Sequence, residues 1–168
     1  MTKPTLYYHY GSKEGLAQAL LLVPMTRLRA DLKTILDAGG DPVDMLVRMF
    51  EGHFAWCRDD PDRARFVFAL CFGPLAKGLM AEMEKFKGGM SCVVGELVRH
   101  AARAGVIDPD RVEEFMAASR GLILISIMDY LYKNQELGPG LAEQQVRDLL
   151  RGFGMPGAPA GSLDHGGS

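Results

Sequence analysis

Apolar residues recur at helical spacing along almost the whole chain, and this pattern limits what it can fold into. The longest ladder steps by three or four residues through Leu75, Leu79, Met83, Phe86, Met90, Val93, Leu97 and Ala101. Such spacing places side chains on one face of an α-helix. Shorter ladders are separated by breaks rich in Gly and Pro. The pattern predicts an all-α fold, with helices over about 12–38, 42–58, 62–72, 75–101, 110–136 and 140–153.

Local signals refine this reading of the helices. The run 66–72 is apolar throughout and, taken alone, fits a buried strand as well as a helix. We predict a short helix, because no second strand candidate exists to pair with it. Pro24 predicts a kink near residues 20–24, since an interior proline removes a backbone hydrogen bond. Asp41 is a suitable N-cap and Gly105 a suitable C-cap.

Composition narrows the functional classes. The chain has 168 residues, which predicts one domain, or one and a fraction. Its net charge is -2, so the chain as a whole has no general attraction for polyanions. Cys57, Cys71 and Cys92 are widely spaced in apolar surroundings, which predicts reduced, buried thiols in a cytoplasmic protein. The longest apolar run, residues 121–128, is far shorter than the ~20 residues that a membrane span needs.

The sequence contains no catalytic motif. There is no G-x-S-x-G, P-loop, G-x-G-x-x-G or HExxH pattern. Glu96 and His100 lie one helical turn apart and could bind a metal, but no third ligand is indicated, which favours a surface pair. We therefore predict a protein that is not an enzyme and that has no cofactor or metal site.

Residues 2–16, TKPTLYYHYGSKEGL, carry the most specific signal in the chain. Pro4 suits the first turn of a short helix, Gly11 can end that helix, and Ser12 can cap the next one. The segment 4–16 resembles the recognition helix, the turn and the following helix start of TetR-family transcriptional regulators. The pattern shared in that family is approximately T-[LI]-Y-x-[HY]-[FY]-x-[SN]-K-[ED]-x-L, and this sequence fills every position.

The resemblance implies DNA binding by residues near the N-terminus. The residues that it assigns to DNA are Lys3, Pro4, Thr5, Tyr7, Tyr8, His9 and Lys13. Base edges in the major groove would be contacted by Lys3, Pro4 and Tyr7. Phosphates would be bound by Thr5, Tyr8, His9 and Lys13. The family's DNA-binding unit has three helices, and two of them would precede this point. We therefore expect the head to be incomplete in this chain and its specific DNA binding to be weak.

The resemblance also implies a domain layout. Residues 1–16 would be the remnant of a helix-turn-helix head, and residues 17–153 a TetR-like helical bundle for ligand binding and dimerisation. Residues 154–168 are rich in Gly, Pro, Ala and Ser, which predicts a disordered tail.

An effector pocket among the central helices is a further expectation from the resemblance. Methionine and aromatic side chains suit varied apolar ligands, and the chain has ten methionines. The candidate lining residues are Phe50, His53, Phe54, Trp56, Phe86, Met90, Arg120 and Met128. Any one of them could instead be an ordinary core or rim residue.

The helix predicted over 110–136 is apolar all round at its centre. A soluble helix of this kind is buried on more than one side. One side can face the core, and the other would be covered by a partner subunit, unless the helix lies at the centre of a monomer. In TetR-family proteins the last two helices of each subunit form a four-helix dimer interface. The interface candidates are Ile123, Ile127, Leu131, Val146, Leu149 and Leu150.

Together these features predict a cytoplasmic, homodimeric, ligand-responsive regulator of transcription. Its partners would be operator DNA and a small apolar effector that releases a repressor from the operator. The alternative is a stand-alone all-α dimeric module that binds a ligand or another protein and does not read DNA.

Overall fold

The computed structural model describes residues 23–72 and 80–154, and these residues form six α-helices. The helices are α1 (Val23–Ala38), α2 (Pro42–Asp59), α3 (Pro61–Phe72), α4 (Met80–Arg103), α5 (Val112–Lys133) and α6 (Leu141–Phe153), with a 3-10 turn at Pro109–Arg111. No strand occurs in the described part, so the predicted all-α fold is confirmed and the run 66–72 is helical. The predicted head at 1–16, most of the segment predicted to kink and the tail from 155 lie outside it.

The helix ends follow the local sequence signals. The Asp41 carboxylate accepts a hydrogen bond from the backbone N–H of Asp44 at 2.9 Å, as expected for an N-cap. Gly105 has φ +75° and its N–H donates to the carbonyl of Ala102 at 3.0 Å, which ends α4. Helix α5 ends at Lys133, three residues before the predicted end, because Asn134 adopts the left-handed conformation with φ 55°.

Helix α2 is the centre of the bundle, because it contacts all five other described helices. Six of its residues are buried: Met45, Leu46, Met49, Phe50, Phe54 and Cys57. The rings of Phe50 and Phe54 meet edge to face, with centroids 6.3 Å apart and planes at 87°. The core therefore forms around α2, and the other helices each cover part of it.

Helix α5 buries only one of its apolar faces. The buried face consists of Phe115, Met116, Ser119, Ile123, Ile127 and Leu131. On the opposite face the side chains of Ile125 and Tyr132 are 58% and 54% exposed. The alternative in which this helix lies at the centre of a monomer is therefore wrong, because α2 occupies that place.

Ser119 is the one buried polar residue among the described core residues, and it gives a prediction about stability. It is 1% exposed, and its hydroxyl has no hydrogen-bond partner in the described part of the chain. A buried unsatisfied hydroxyl costs about 1–3 kcal/mol. We expect Ser119→Ala to raise the free energy of unfolding by about 1 kcal/mol in urea denaturation.

A second serine on the same helix is the control for this variant. The Ser126 hydroxyl accepts a hydrogen bond from Gln145 Nε2 of α6 at 2.7 Å. Ser126→Ala should therefore lower the free energy of unfolding by about 1 kcal/mol. Losses of equal size in the two variants would mean that the Ser119 hydroxyl is satisfied in solution.

Candidate functional site

The predicted DNA contacts all fall in the N-terminal segment, which lies outside the described residues. These are Lys3, Pro4, Thr5, Tyr7, Tyr8, His9 and Lys13. Their assignment stays a prediction. The structure does describe α1, the helix that follows this segment, and shows how it joins the bundle. Its residues Leu28, Leu32 and Ile35 are buried, and α1 packs against both α2 and α4.

Two glycines face side chains of α1. A Cβ atom added at Gly52 of α2 would lie 3.4 Å from a Cδ atom of Leu32. A Cβ atom added at Gly89 of α4 would lie 2.5 Å from Nη1 of Arg29. Leu32 and Arg29 of α1 therefore each lie beside a glycine of a neighbouring helix.

The predicted pocket residues do not form one lining. Phe50 and Phe54 are fully buried, whereas the exposure of His53, Trp56, Met90 and Met128 is intermediate. Arg120 is exposed, so its assignment to an enclosed pocket is wrong for the single subunit. Met128 lies one helical turn from Ile125 on the outer side of α5. Phe86 is not among the residues whose side chains the structure describes.

His53 lies on α2 between the buried residues Phe50 and Phe54 along the chain, and its exposure is intermediate. Its Nδ1–H donates to the backbone carbonyl of Met49 at 2.7 Å. In the neutral ring, this leaves Nε2 as an acceptor for a ligand donor. Burial lowers the pKa of His53 below its usual value, and the hydrogen bond to Met49 opposes that shift in part. His53 therefore has one ring nitrogen that is not used by the contact with Met49.

The lowered pKa of His53 predicts a loss of stability in mild acid. Because its folded pKa lies below the unfolded value near 6.5, the unfolded chain binds more protons as the pH falls through that value. We expect the free energy of unfolding to fall below pH 6.5 with a His53 contribution of at most about 1.4 kcal/mol per pH unit. Urea denaturation at several pH values measures this slope.

The matched control removes the titrating group and keeps a polar side chain. In His53→Gln, the free energy of unfolding should change less between about pH 7.5 and about pH 5.5 than it does in the unmodified chain. Identical slopes in both proteins would show that His53 does not titrate differently in the folded and unfolded states.

Trp56 lies at the junction between α2 and α3, where Arg63 of α3 contacts it. The guanidinium of Arg63 lies 5.0 Å from the centroid of the Trp56 ring. Nη2 of Arg63 also donates to the Trp56 carbonyl at 3.1 Å and lies 3.3 Å from an Asp59 carboxylate oxygen. These contacts give Trp56 a structural role that the sequence analysis missed.

Two arginines attach the C-terminal part of α5 and the loop that follows it to the bundle. Arg58 Nη1 donates to the carbonyl of Leu137 at 2.8 Å, and Arg65 Nε donates to that of Leu131 at 3.2 Å. Arg65 also pairs with Asp62 at 2.8 Å. Both contacts span more than 60 residues, which is why residue spacing gives no signal for them.

Two clefts formed by described residues contain none of the predicted pocket residues. A cleft of about 420 Å³ is lined by Pro61, Asp62, Arg65, Tyr130, Asn134, Gln135 and Glu136. A second, of about 330 Å³, follows the polar side of α6 along Gly140, Glu143, Gln144, Arg147, Asp148 and Arg151. Both linings are mostly polar or charged, which does not match the apolar effector expected from the sequence.

The residues chosen for the dimer interface face the inside of the subunit. Ile123, Ile127, Leu131, Val146 and Leu149 are all at most 9% exposed, and Leu150 is partly buried against the same core. They cannot supply much area to a partner. An interface on α5 would use its other face, where Ile125 and Tyr132 lie.

The cysteines differ in their surroundings. Cys57 is buried, and burial raises the pKa of its thiol to about 12, although Arg63 and Arg58 act in the opposite direction. Cys92 is exposed, so the prediction of a buried thiol is wrong there. The side chain of Cys71 is outside the described ones.

Glu96 has an arginine as its contact. Its carboxylate accepts a hydrogen bond from Arg99 Nη2 at 2.9 Å, and the surface pair with His100 stays a prediction. Within residues 23–72 and 80–154, no group of three or more His, Cys, Asp and Glu side chains is arranged to hold a metal ion.

One described segment, Pro109–Lys133, is long and apolar enough to cross a membrane by length and composition alone. Its mean hydropathy reaches 1.2 over the most apolar window. Core helices of soluble proteins meet the same criterion, and one face of this segment packs into the bundle. The finding is therefore weak evidence for a membrane span.

The chain was compared with known proteins at three levels. No family model, no curated protein and no solved structure matches it.

Proposed function

We propose that this chain is a ligand-responsive, DNA-binding regulator of transcription that works as a homodimer. The observation that carries the proposal is the segment 4–16, which fills every position of the TetR-family pattern for a recognition helix and the start of the next helix. The all-α bundle that follows is compatible with such a regulator. In this proposal, α1 carries changes in the bundle to the head, since it packs against both α2 and α4.

An effector that binds among the buried residues of the bundle would be apolar and uncharged rather than charged. Among the described residues, the buried positions are apolar apart from Ser119. A charged ligand placed among them would lose its hydration without gaining an ion pair, which is strongly unfavourable. His53 Nε2 would provide one hydrogen-bond acceptor for such a ligand. Binding that favours one arrangement of α2 and α4 would move α1 and change the spacing of the two heads.

The test selects DNA from a pool of genomic fragments. The polypeptide would be compared with a version extended by the residues encoded in frame upstream of Met1. We expect the extended protein to enrich a palindromic site whose half-sites are about 34–36 Å apart, and this chain to bind it weakly. Failure of the extended protein to enrich any sequence would refute the regulator.

Two lysine variants test whether the predicted segment contacts DNA. In the extended protein, Lys13→Ala should weaken binding and reduce the salt slope by about 1, because one phosphate contact is lost. Lys33→Ala is the control, since Lys33 is exposed on α1 and paired with Asp37 at 2.8 Å. Equal effects of the two changes would remove Lys13 from the DNA contact.

A second candidate is a stand-alone dimeric module that binds a ligand or another protein without reading DNA. The exposed apolar face of α5, with Ile125 and Tyr132, favours it, because that face requires no head. The reading frame upstream of Met1 separates the candidates. An open frame that encodes two amphipathic helices favours the regulator, and an immediate stop codon favours the module.

A further inference from the structure

The cleft of about 420 Å³ lies where the start of α3 meets the end of α5, and we call it the α3–α5 cleft. It is lined by Pro61, Asp62 and Arg65 of α3, by Tyr130 of α5 and by the loop residues 134–136. Small-molecule sites occupy about 300–1,000 Å³, so its volume suits a small metabolite. Pro61 and Tyr130 are partly buried, whereas the other lining residues are exposed and can be reached from solvent.

Two arginines hold the parts of the α3–α5 cleft together. Arg65 Nε donates to the carbonyl of Leu131 in α5 at 3.2 Å, and Arg65 Nη1 pairs with Asp62 in α3 at 2.8 Å. Arg58 Nη1 donates to the carbonyl of Leu137 at 2.8 Å, one residue beyond the lining loop. A ligand that enters a site held in this way has less chain to order, which favours binding.

Several polar groups of the lining have capacity that the protein does not use. A guanidinium has five N–H donors, and within the described part of the chain the two on Arg65 Nη2 have no partner. The Glu136 carboxylate forms no hydrogen bond or ion pair with any described residue. The same holds for the side chains of Tyr130, Asn134 and Gln135. The cleft therefore offers both donors and acceptors to a ligand.

The unused groups include one cation and one anion that do not pair with each other. Arg65 and Glu136 line the same cleft, but Arg65 pairs with Asp62 instead. A ligand with only a positive charge would leave the donors of Arg65 unused, and one with only a negative charge would be repelled by Glu136. A ligand that has both charges satisfies both residues. The amides of Asn134 and Gln135 can donate or accept beside either charge.

We propose that the α3–α5 cleft binds a free α-amino acid with an apolar side chain. The carboxylate of the amino acid accepts hydrogen bonds from Arg65 Nη2, and its ammonium group donates to Glu136. Both contacts are charge-assisted, which is the stronger class of hydrogen bond. The apolar side chain lies along the rings of Tyr130 and Pro61. This site goes beyond the proposed function, because it requires neither DNA nor an effector among the buried residues.

Three probes with the same aromatic ring test the need for both charges. L-Phenylalanine is a zwitterion near neutral pH, phenethylamine has only the ammonium group, and hydrocinnamate has only the carboxylate. In calorimetric titrations of the full chain, we expect phenylalanine to bind at least about tenfold more tightly than either analogue. In NMR spectra, it should shift the side-chain amide signals of Asn134 and Gln135. Equal affinities, shifts confined to other residues, or no saturable binding at about 10 mM phenylalanine would overturn the proposal.

A glutamate variant assigns the ammonium contact. Glu136→Gln should weaken phenylalanine and phenethylamine at least about tenfold and leave hydrocinnamate no weaker than before. Glu113→Gln is the matched control, because it removes the same charge from an exposed residue of α5 that does not line the cleft. Equal losses in the two variants would mean that only the overall charge matters, which would overturn the assignment of Glu136.

An arginine variant assigns the carboxylate contact. In Arg65→Lys the positive charge remains, but a single ammonium cannot reproduce the planar donor fork that contacts Leu131, Asp62 and the ligand. We expect at least about tenfold weaker binding of phenylalanine and of hydrocinnamate. Circular dichroism checks that the variant is folded, and if it is not, the Glu136 variant decides alone. Unchanged affinity in the folded variant would overturn the role of Arg65.

The outcomes separate this inference from the proposed function. An extended protein that binds phenylalanine in the cleft but enriches no DNA would refute the regulator and support the amino acid site. An extended protein that enriches a palindromic site but does not bind phenylalanine would support the regulator and overturn the amino acid site.

Discussion

Truncation of Phe54 to alanine is expected to lower the free energy of unfolding by about 3–5 kcal/mol. The side chain is fully buried on α2 and lies edge to face with Phe50. Because α2 contacts every other described helix, the cavity cannot be filled by the movement of one neighbour. A domain of this size is stable by about 5–15 kcal/mol, so the loss is a large share of the total. Urea denaturation followed by far-ultraviolet circular dichroism measures it.

Phe66→Ala is the control for this experiment. Phe66 is a phenylalanine on the neighbouring helix α3 and is 37% exposed, so its truncation should cost less than about 1 kcal/mol. The result also bears on the effector pocket. If Phe54 lined an empty pocket, it would have fewer partner atoms to lose and its truncation would cost much less. A loss as small as that of Phe66→Ala would contradict the packing described for α2.

The helices could be predicted from the sequence because their signals are local. Apolar spacing sets a helix face, and a Gly or Pro break sets its end, so each signal acts within a few residues. Asp41 and Gly105 illustrate this, since each one bonds to a group three residues away and does what its residue type predicts. The sequence also predicts a helix over 66–72, because it contains no second strand candidate that could pair with this run.

The orientation of α5 could not be predicted, because the sequence has no polar side to mark the outside. Ile123, Ile125 and Ile127 are the same residue type, yet Ile125 is exposed and the other two are buried. Which isoleucine faces outward depends on where α2, α4 and α6 lie, and periodicity carries no information about that. The three interface candidates on this helix, Ile123, Ile127 and Leu131, therefore lie on its buried face.

The sequence indicated the helix that carries the candidate site, α2, but not the contacts that the side chains of this helix make. The sequence identified the aromatic and polar side chains of α2, and Phe50, His53 and Phe54 do lie on or next to the core. Trp56 was assigned to the pocket, but Arg63 holds it at the junction with α3. Arg58 acts on Leu137, 79 residues away along the chain. Such partners are set by the tertiary fold and leave no pattern in residue spacing.

Truncation of Leu32 to alanine is expected to cost about 2–5 kcal/mol of unfolding free energy. Leu32 is fully buried on α1, and its Cδ atom lies close to the position that a side chain of Gly52 would take. Glycine has no side chain to move into the space that the variant leaves, so the cavity should persist. The control is Val23→Ala, which removes an apolar side chain that is 67% exposed on the same helix and should cost less than about 0.5 kcal/mol.

This comparison decides whether α1 is a structural part of the bundle, as the proposed mechanism requires. A helix that transmits a change from α2 and α4 to a DNA-binding head must be held by the core, or movement in the bundle would be lost before it reached the head. Amide hydrogen exchange gives a second measurement, in which Leu32→Ala should increase exchange along 25–38 more than in α6. If Leu32→Ala and Val23→Ala had equal effects, α1 would be only loosely attached. The proposed coupling between effector and DNA would then need a different route.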